Sequence, residues 1–164
     1  MTERRTAFHH IVATLEYPMF VVTVAAGGER AGCLVGFAAQ CSISPPRFVA
    51  WISKANHTFP VAERAELFVV HALRKSDLEV AQLFGESTGD AVDKFARCQW
   101  HEGPGGVPVL DGCDWFAGRV LDRFDSGDHV GFLLAVLDSG SAARAGEPQL
   151  SYQDVRDFHP GHPA

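Results

Sequence analysis

A pair of adjacent prolines, Pro45-Pro46, constrains the fold of this chain more than any other feature of its sequence. Proline lacks a backbone N–H group, so two prolines in succession cannot continue a central β-strand. They separate two apolar runs, Gly32–Gln40 and Arg47–Ser53, each of which is long enough for one strand. The sequence therefore predicts two strands joined by a corner at Ser42–Pro46.

Further runs rich in β-branched and aromatic residues predict a mainly β protein. The other strands that we expect are Met19–Ala25, Leu67–Leu73, Val107–Leu110, Cys113–Phe124, His129–Asp138 and an edge strand at Gln149–Tyr152. A glycine-containing turn, Ala26–Glu29, joins the first of these to Gly32–Gln40 as a hairpin. Strands and long helices do not alternate regularly, which disfavours a doubly wound parallel sheet. A closed antiparallel barrel fits better, because closure hides the strand edges.

Apolar residues at helical spacing predict peripheral helices. The expected helices are Arg5–Leu15, a short one from Thr58 to about Ala65, one that ends at Gly85, and a turn or two within Thr88–Phe95. We expect Thr58 and Ser76 to be N-caps, since their hydroxyls can accept hydrogen bonds from the first helical N–H groups, and Ser76-x-x-Glu79 fits a capping box. The tail that contains Pro160, Gly161 and Pro163 is expected to be mobile.

Length and charge narrow the class of protein. The 164 residues suit one domain, 1–164, with its core at about 15–153. A net charge of −6 argues against a nucleic-acid surface, which needs a basic stripe. No segment has the roughly 18 consecutive apolar residues of a membrane span, and the N-terminal arginines precede no apolar signal region. We therefore expect a cytoplasmic protein without a membrane or nucleic-acid partner.

The four cysteines form no C-x-x-C pair, so we predict no metal site and interpret all four as packing residues. They are Cys33, Cys41, Cys98 and Cys113. His71 lies inside an apolar strand and is interpreted as a structural histidine.

Two neighbouring stretches suit a flat ring and a phosphate group, the two ends of a ligand such as a flavin nucleotide. Small and polar residues from Gly36 to Ser44 could let a flat ring lie against the backbone. The loop from Ser53 to Thr58 contains Lys54, whose point charge suits a phosphate, and a helix N-terminus after the loop would favour an anion. The alternatives are a solvated loop with an N-cap, and serine hydroxyls that cap the Pro-Pro corner.

The order of the motifs along the chain resembles the flavin reductase-like family, which has the FMN-binding split-barrel fold. The motifs that carry the resemblance are Phe20-Val21-Val22-Thr23-Val24, Ser42-Ile43-Ser44-Pro45-Pro46, Leu67–Leu73, Leu83-Phe84-Gly85, Lys94-Phe95, Gly106-x-Pro108-Val109-Leu110 and Gly127-Asp128-His129. They extend over roughly residues 15–153. No single motif is decisive. The resemblance depends on the order and spacing that the motifs share with the family.

The resemblance implies an antiparallel split β-barrel with peripheral helices that forms a homodimer. It also implies that FMN or FAD is bound and reduced by NADH or NADPH, and that the reduced flavin passes to a monooxygenase partner. The implied cofactor contacts are Phe37, Ala38, Ala39, Gln40, Cys41, Ser42, Ser53, Lys54, Asn56, His57, Thr58 and Phe59. His129 falls on the histidine of the Gly-Asp-His motif, near the nicotinamide, and is the implied catalytic residue.

The chain departs from the family where many members have Asn or Ser followed by Ser or Thr. This chain has Gly36-Phe37-Ala38-Ala39-Gln40 instead, so backbone groups and Gln40 would hold the ring there. Two other functions stay open: a flavin- or deazaflavin-binding protein of the same fold without nicotinamide-dependent activity, and a dimeric interaction module. For His129, the structural alternative is a hydrogen bond to the turn before it.

Overall fold

Nine strands and four α-helices make up the protein, whose computed structural model describes residues 3–161. The strands are β1 (Phe20–Ala26), β2 (Glu29–Val35), β3 (Ala38–Ser42), β4 (Arg47–Ser53), β5 (Leu67–Ala72), β6 (Trp100–Glu102), β7 (Pro108–Leu110), β8 (Asp114–Asp125) and β9 (His129–Gly140). The α-helices are α1 (Glu3–Ala13), α2 (Thr58–Arg64), α3 (Leu78–Glu86) and α4 (Tyr152–Val155). The predicted mainly β class with peripheral helices is confirmed.

Seven strands form one antiparallel sheet in the order β2-β1-β5-β8-β9-β4-β3, and β6 pairs with β7 separately. β2 also contacts β4, although four strands lie between them in the sheet order, so the sheet is rolled. The interior is filled by Ile52, Phe68, Phe132 and Leu134, which are essentially inaccessible to water. A second apolar cluster lies under α3 and includes Phe84.

The expected single strand Gly32–Gln40 is wrong, because it is two strands at opposite ends of the sheet order. β2 ends at Val35 and pairs with β1, whereas β3 begins at Ala38 and pairs with β4. Gly36 and Phe37 belong to neither strand. A run of apolar residues indicates that a strand is buried but not which strand it pairs with. The sequence pattern therefore did not show the break between β2 and β3.

Both predicted N-caps are wrong. Thr58 is the first residue of α2 and is buried, and its N–H donates to Oδ1 of Asn56 at 2.9 Å. Ahead of α3, the Asp77 carboxylate accepts from the N–H of Arg74 at 2.8 Å, while the Ser76 hydroxyl donates to Glu147. Asn and Asp side chains compete with Ser and Thr hydroxyls for the same backbone N–H groups. Here Asn56 and Asp77 accept these hydrogen bonds instead of Thr58 and Ser76.

Other expectations at the surface need correction. Residues 88–93 are loop and a short 3₁₀ turn covers Lys94–Arg97, while Gln149–Tyr152 makes only two isolated bridges. The exposed edge strand β3 carries Cys41, so this thiol does not pack in a core of the described chain. α1 leaves Phe8 and Ile11 exposed. Among the residues that the structure describes, no helix is long and apolar enough to span a membrane.

Candidate flavin site

Two cavities meet where the chain crosses from β2 to β3. One, the β2-side cavity, has a volume of about 330 Å³ and is bounded by β2, α3 and the segment after α4. The other, the β3-side cavity, has a volume of about 510 Å³ and lies beside the start of β3. Four residues line both cavities: Gly36, Phe37, Trp51 and His129. The two spaces therefore adjoin along these residues, which we call the partition.

The β2-side cavity is mainly apolar. Its walls include Met19, Cys33, Leu34, Val35, Ile52, Ser53, Asn56, Phe84, Gly85, Tyr152, Val155, Arg156, Phe158 and Pro160. Ser53 and Asn56, two of the predicted contacts, contribute polar groups to this wall. Burial raises the pKa of the Cys33 thiol to about 11. This sulfur therefore stays protonated near neutral pH and is no nucleophile.

The β3-side cavity is also mainly apolar. Besides the four shared residues, its walls are Tyr17, Ala38, Ala39, Ser126 and Asp128. The predicted contacts Phe37, Ala38 and Ala39 thus lie on it together. The side chains of both alanines are small, which suits a flat ring that lies against this strand.

His129 is held in place from two sides. As the first residue of β9, it faces Ser53 of β4 in the strand register. Its Nδ1 lies 2.7 Å from Oδ1 of Asp128, and this hydrogen bond lowers the pKa of the Asp128 carboxyl. The imidazole ring lies 5.2 Å from the ring of Phe37, centroid to centroid. The predicted catalytic histidine and the predicted ring contact Phe37 are therefore neighbours.

Trp51 is a wall residue that the sequence prediction missed. Its indole Nε1 donates to the hydroxyl of Ser126 at 3.1 Å, and its ring packs edge-on against Phe124. In β4, Ala50 and Ile52 are buried, while Trp51 and Ser53 are only half-buried on the other face. This alternation is a signal that could have placed Trp51 beside Ser53 in the site.

Many polar groups of the lysine-bearing loop, Ser53–Thr58, already form hydrogen bonds or ion pairs within the protein. The Lys54 ammonium lies 2.7 Å from the Asp125 carboxylate and lowers the pKa of that carboxyl. His57 makes a similar pair with Asp90. The backbone N–H groups of residues 54, 55, 56, 58 and 59 all donate within the protein. An anion at this loop would therefore be met mainly by side chains that leave their present partners.

Three predicted contacts lie at the end of β3 rather than on the cavity walls. The Ser42 hydroxyl donates to the carbonyl of Pro45 at 2.7 Å, and the side-chain amide of Gln40 donates to the carbonyl of Ser42. These two residues and Cys41 are absent from the described walls of both cavities. Phe59 packs against the barrel interior, as Thr58 does nearby.

Lys94 is a further residue that the site depends on. It is buried, and its ammonium donates to the carbonyls of Gly32 and Phe84 at 3.1 and 3.2 Å. Those carbonyls belong to β2 and α3, two walls of the β2-side cavity, so Lys94 joins the walls to each other. Burial lowers the pKa of the Lys94 ammonium.

The tail that contains Pro160 and Gly161 was expected to be mobile, but through Gly161 the segment after α4 packs on α3. The His159 N–H donates to a carboxylate oxygen of Glu86 at 2.9 Å, and the Gly161 N–H donates to the carbonyl of Gly85. Phe158 packs against the second apolar cluster. Pro163 lies outside the described residues.

Comparison with known proteins agrees with this architecture. The model of the flavin reductase like domain matches residues 12–161. A 4-hydroxyphenylacetate 3-monooxygenase reductase component from Pseudomonas aeruginosa is 30% identical over 139 residues, which cover 82% of this chain and 81% of that protein. A high molecular weight rubredoxin from Moorella thermoacetica is 28% identical over 138 residues, and the match covers 82% of this chain but only 60% of that longer protein.

A solved structure shares the fold. The NADH:FAD oxidoreductase SgcE6 of Streptomyces globisporus C-1027 superposes with a TM-score of 0.80 at 21% identity, over 90% of this chain and 87% of that one. The split-barrel architecture expected from the motifs is thereby confirmed. With a family model that matches nearly its whole length, the chain belongs to the flavin reductase-like domain family.

Proposed function

We propose that this protein is an NAD(P)H-dependent flavin reductase that transfers a hydride from NADH or NADPH to FMN or FAD. The observation that carries the proposal is the pair of cavities that share Phe37, Trp51 and His129, on a chain whose family match extends over residues 12–161. Two adjoining spaces suit a reaction in which two planar rings must come into contact.

The residues present fit a flavin. Both cavities fall within the range of about 300–1,000 Å³ that small-molecule sites occupy. Their common wall offers aromatic surface from Phe37 and Trp51, and the small residues Ala38 and Ala39 line the β3-side cavity beside it. No described carboxylate lines the β2-side cavity, so an anionic ligand meets no direct charge repulsion there.

In this proposal, residues on both sides of the partition hold the flavin. Phe37, Ala38 and Ala39 contact its ring, and Ser53 and Asn56 contact its polar side chain. The lysine-bearing loop, with Lys54, His57, Thr58 and Phe59, lies at the phosphate end, and Gln40, Cys41 and Ser42 support the strand that carries the ring contacts. The chemistry that a flavin supplies when bound is acceptance of a hydride from reduced nicotinamide.

His129 orients the nicotinamide. The Asp128 carboxylate favours the tautomer with its proton on Nδ1, which leaves Nε2 able to accept a hydrogen bond. A carboxamide N–H of the nicotinamide is a suitable donor. The ring of Phe37 packs against the imidazole and helps to hold it in this orientation.

The proposal extends to partners and location. The protein would form a homodimer and deliver reduced flavin to a monooxygenase, since the Pseudomonas aeruginosa relative is named as a monooxygenase reductase component. It would act in the cytoplasm, where thiols such as its four unpaired cysteines remain reduced.

The test measures NADH and NADPH oxidation with FMN, FAD and riboflavin in turn. We expect oxidation that depends on added flavin. His129→Ala should lower kcat/KM for the nicotinamide at least about tenfold without changing FMN affinity, because it removes an orienting contact. Lys54→Ala should weaken FMN but not riboflavin, since only FMN carries a phosphate.

Two results would contradict parts of the proposal. If the protein binds flavin but NADH and NADPH are not oxidised, it is a flavin- or deazaflavin-binding protein and no reductase. If His129→Ala leaves the oxidation rate unchanged while Lys54→Ala weakens FMN, the nicotinamide assignment fails and the phosphate assignment stands.

A further inference from the structure

One residue gives the β2-side cavity its charge. Of the described residues that line this cavity, Arg156 alone carries a formal charge, and it is positive. The chain as a whole has a net charge of −6. A cation at the wall of an otherwise apolar cavity, in an acidic protein, is a specific feature because it attracts anions to one place on a surface that repels them.

Arg156 is weakly engaged by the protein itself. Its Nη1 lies 3.4 Å from Oε1 of Gln153, and its Nε lies 3.9 Å from a carboxylate oxygen of Asp157. The Asp157 side chain is 95% exposed, so water screens this pair and makes it worth little. By contrast, Lys54 is in close contact with a carboxylate of its own, Asp125.

The backbone that carries Arg156 is held firmly. Just before it, Val155 is buried in the apolar cluster under α3. On its other side, the N–H of Phe158 donates to the carbonyl of Val155 at 2.9 Å. The N–H of Tyr152, at the start of α4, donates to the carbonyl of Tyr17 at 2.7 Å. The backbone of Arg156 is therefore held in place beside the cavity.

We infer that Arg156 is an anion anchor of the β2-side cavity and binds a phosphate group of the nucleotide that enters there. A guanidinium offers several N–H donors in a plane and forms bidentate, charge-assisted hydrogen bonds with phosphate oxygens. The inference rests on the proposed function for the identity of the nucleotide. The phosphate belongs either to FMN or to the nicotinamide dinucleotide, and the two sources are distinguished by binding.

The experiment compares the wild type with Arg156→Gln, Arg156→Lys and Arg119→Gln. Arg119 is an exposed arginine of β8 that lines neither cavity. Its replacement makes the same change in net charge but away from the cavities, so it is the control. Binding of FMN and riboflavin is followed by flavin fluorescence, and binding of ADP by calorimetry. ADP carries phosphates without a flavin or a nicotinamide, so it probes the anchor independently of catalysis.

We expect Arg156→Gln to weaken one phosphate-bearing probe about tenfold, the loss expected for a charge-assisted hydrogen bond. Weaker FMN with unchanged riboflavin assigns the flavin phosphate, whereas weaker ADP with unchanged FMN assigns the dinucleotide. Arg156→Lys should recover part of the affinity. Added salt should weaken wild-type binding more than that of Arg156→Gln, because the variant has lost the charge.

The inference is overturned if Arg156→Gln binds FMN and ADP as the wild type does, if Arg119→Gln shows the same loss, or if the wild type binds neither probe. Failure of the proposed function looks different. In that case no flavin supports NADH or NADPH oxidation by the wild type, while Arg156→Gln still weakens ADP binding.

Discussion

At the scale of single residues, His71 is the clearest case of a titratable group whose burial has a measurable consequence. Its Nδ1–H donates to the carbonyl of Val21, and its Nε2 accepts from the N–H of Leu110, both at 2.9 Å. It is inaccessible to water, and this burial lowers its pKa from 6.5 to about 4. The predicted structural histidine is confirmed, and it joins β1, β5 and β7.

The direction of the pH effect follows from this lowered pKa. Between pH 6.5 and 4, the unfolded chain binds a proton at His71 and the folded chain does not, so the free energy of unfolding falls as the pH falls through this window. At about 1.4 kcal/mol per pH unit, the loss amounts to roughly 3 kcal/mol. Chemical denaturation of the wild type and of His71→Gln at several pH values measures it. The variant should show a shallower slope, and equal slopes would contradict the prediction.

At the scale of elements, the pairing of β4 with β9 builds the partition between the cavities. Gly131 of β9 lies opposite Trp51 in the register. A Cβ atom at Gly131 would lie 2.3 Å from the ring of Phe124 and 2.8 Å from the indole nitrogen of Trp51. The missing side chain therefore makes room for the indole that lines both cavities.

We expect Gly131→Ala to lower the free energy of unfolding by about 1–3 kcal/mol, the usual cost of overpacking. It should also weaken FMN and riboflavin alike, because the displaced indole no longer lines the cavities. Denaturant unfolding and flavin titration measure the two effects. In the Phe124→Ala background part of the crowding is relieved, so the same substitution should cost less there. If the two substitutions lower the free energy of unfolding additively in the double variant, the crowding at Gly131 does not come from Phe124.

At the scale of the whole molecule, β3 ends the sheet without a further partner in the described chain. At the other end, α2 and α3 pack on β2. Beside β3, Ile43 is 85% exposed, and Cys41 is exposed as well. An uncovered edge strand next to exposed apolar side chains is a surface that proteins protect by association.

We propose that a homodimer forms through this edge, in which case sedimentation should give twice the chain mass of 17.8 kDa. Ile43→Lys should shift the protein towards the monomer, since a charge would be buried at the contact. Leu78→Lys, which introduces the same charge at an exposed leucine of α3, is the control and should leave the mass unchanged. A wild type that sediments at 17.8 kDa at all concentrations would refute the dimer.

Several features of this protein were determined by the sequence alone, because they depend on neighbours along the chain. The β-branched runs placed β1, β4, β5, β8 and β9 to within two residues at most of their ends. Pro45-Pro46 marked the corner between β3 and β4 for a local reason, the lack of an N–H donor. The buried position of His71 followed from its apolar surroundings.

Other features were decided only by the tertiary structure, because they join residues that are distant in sequence. The run 32–40 divided between the two ends of the sheet, since strand partners are chosen by packing of the whole barrel and not by local propensity. Lys54 pairs with Asp125, 71 positions away, and Arg156 lines a cavity whose other walls include residues of β2 and α3. Hydrophobic periodicity reports which residues are buried, but a cavity is bounded by elements whose distances only the folded chain determines.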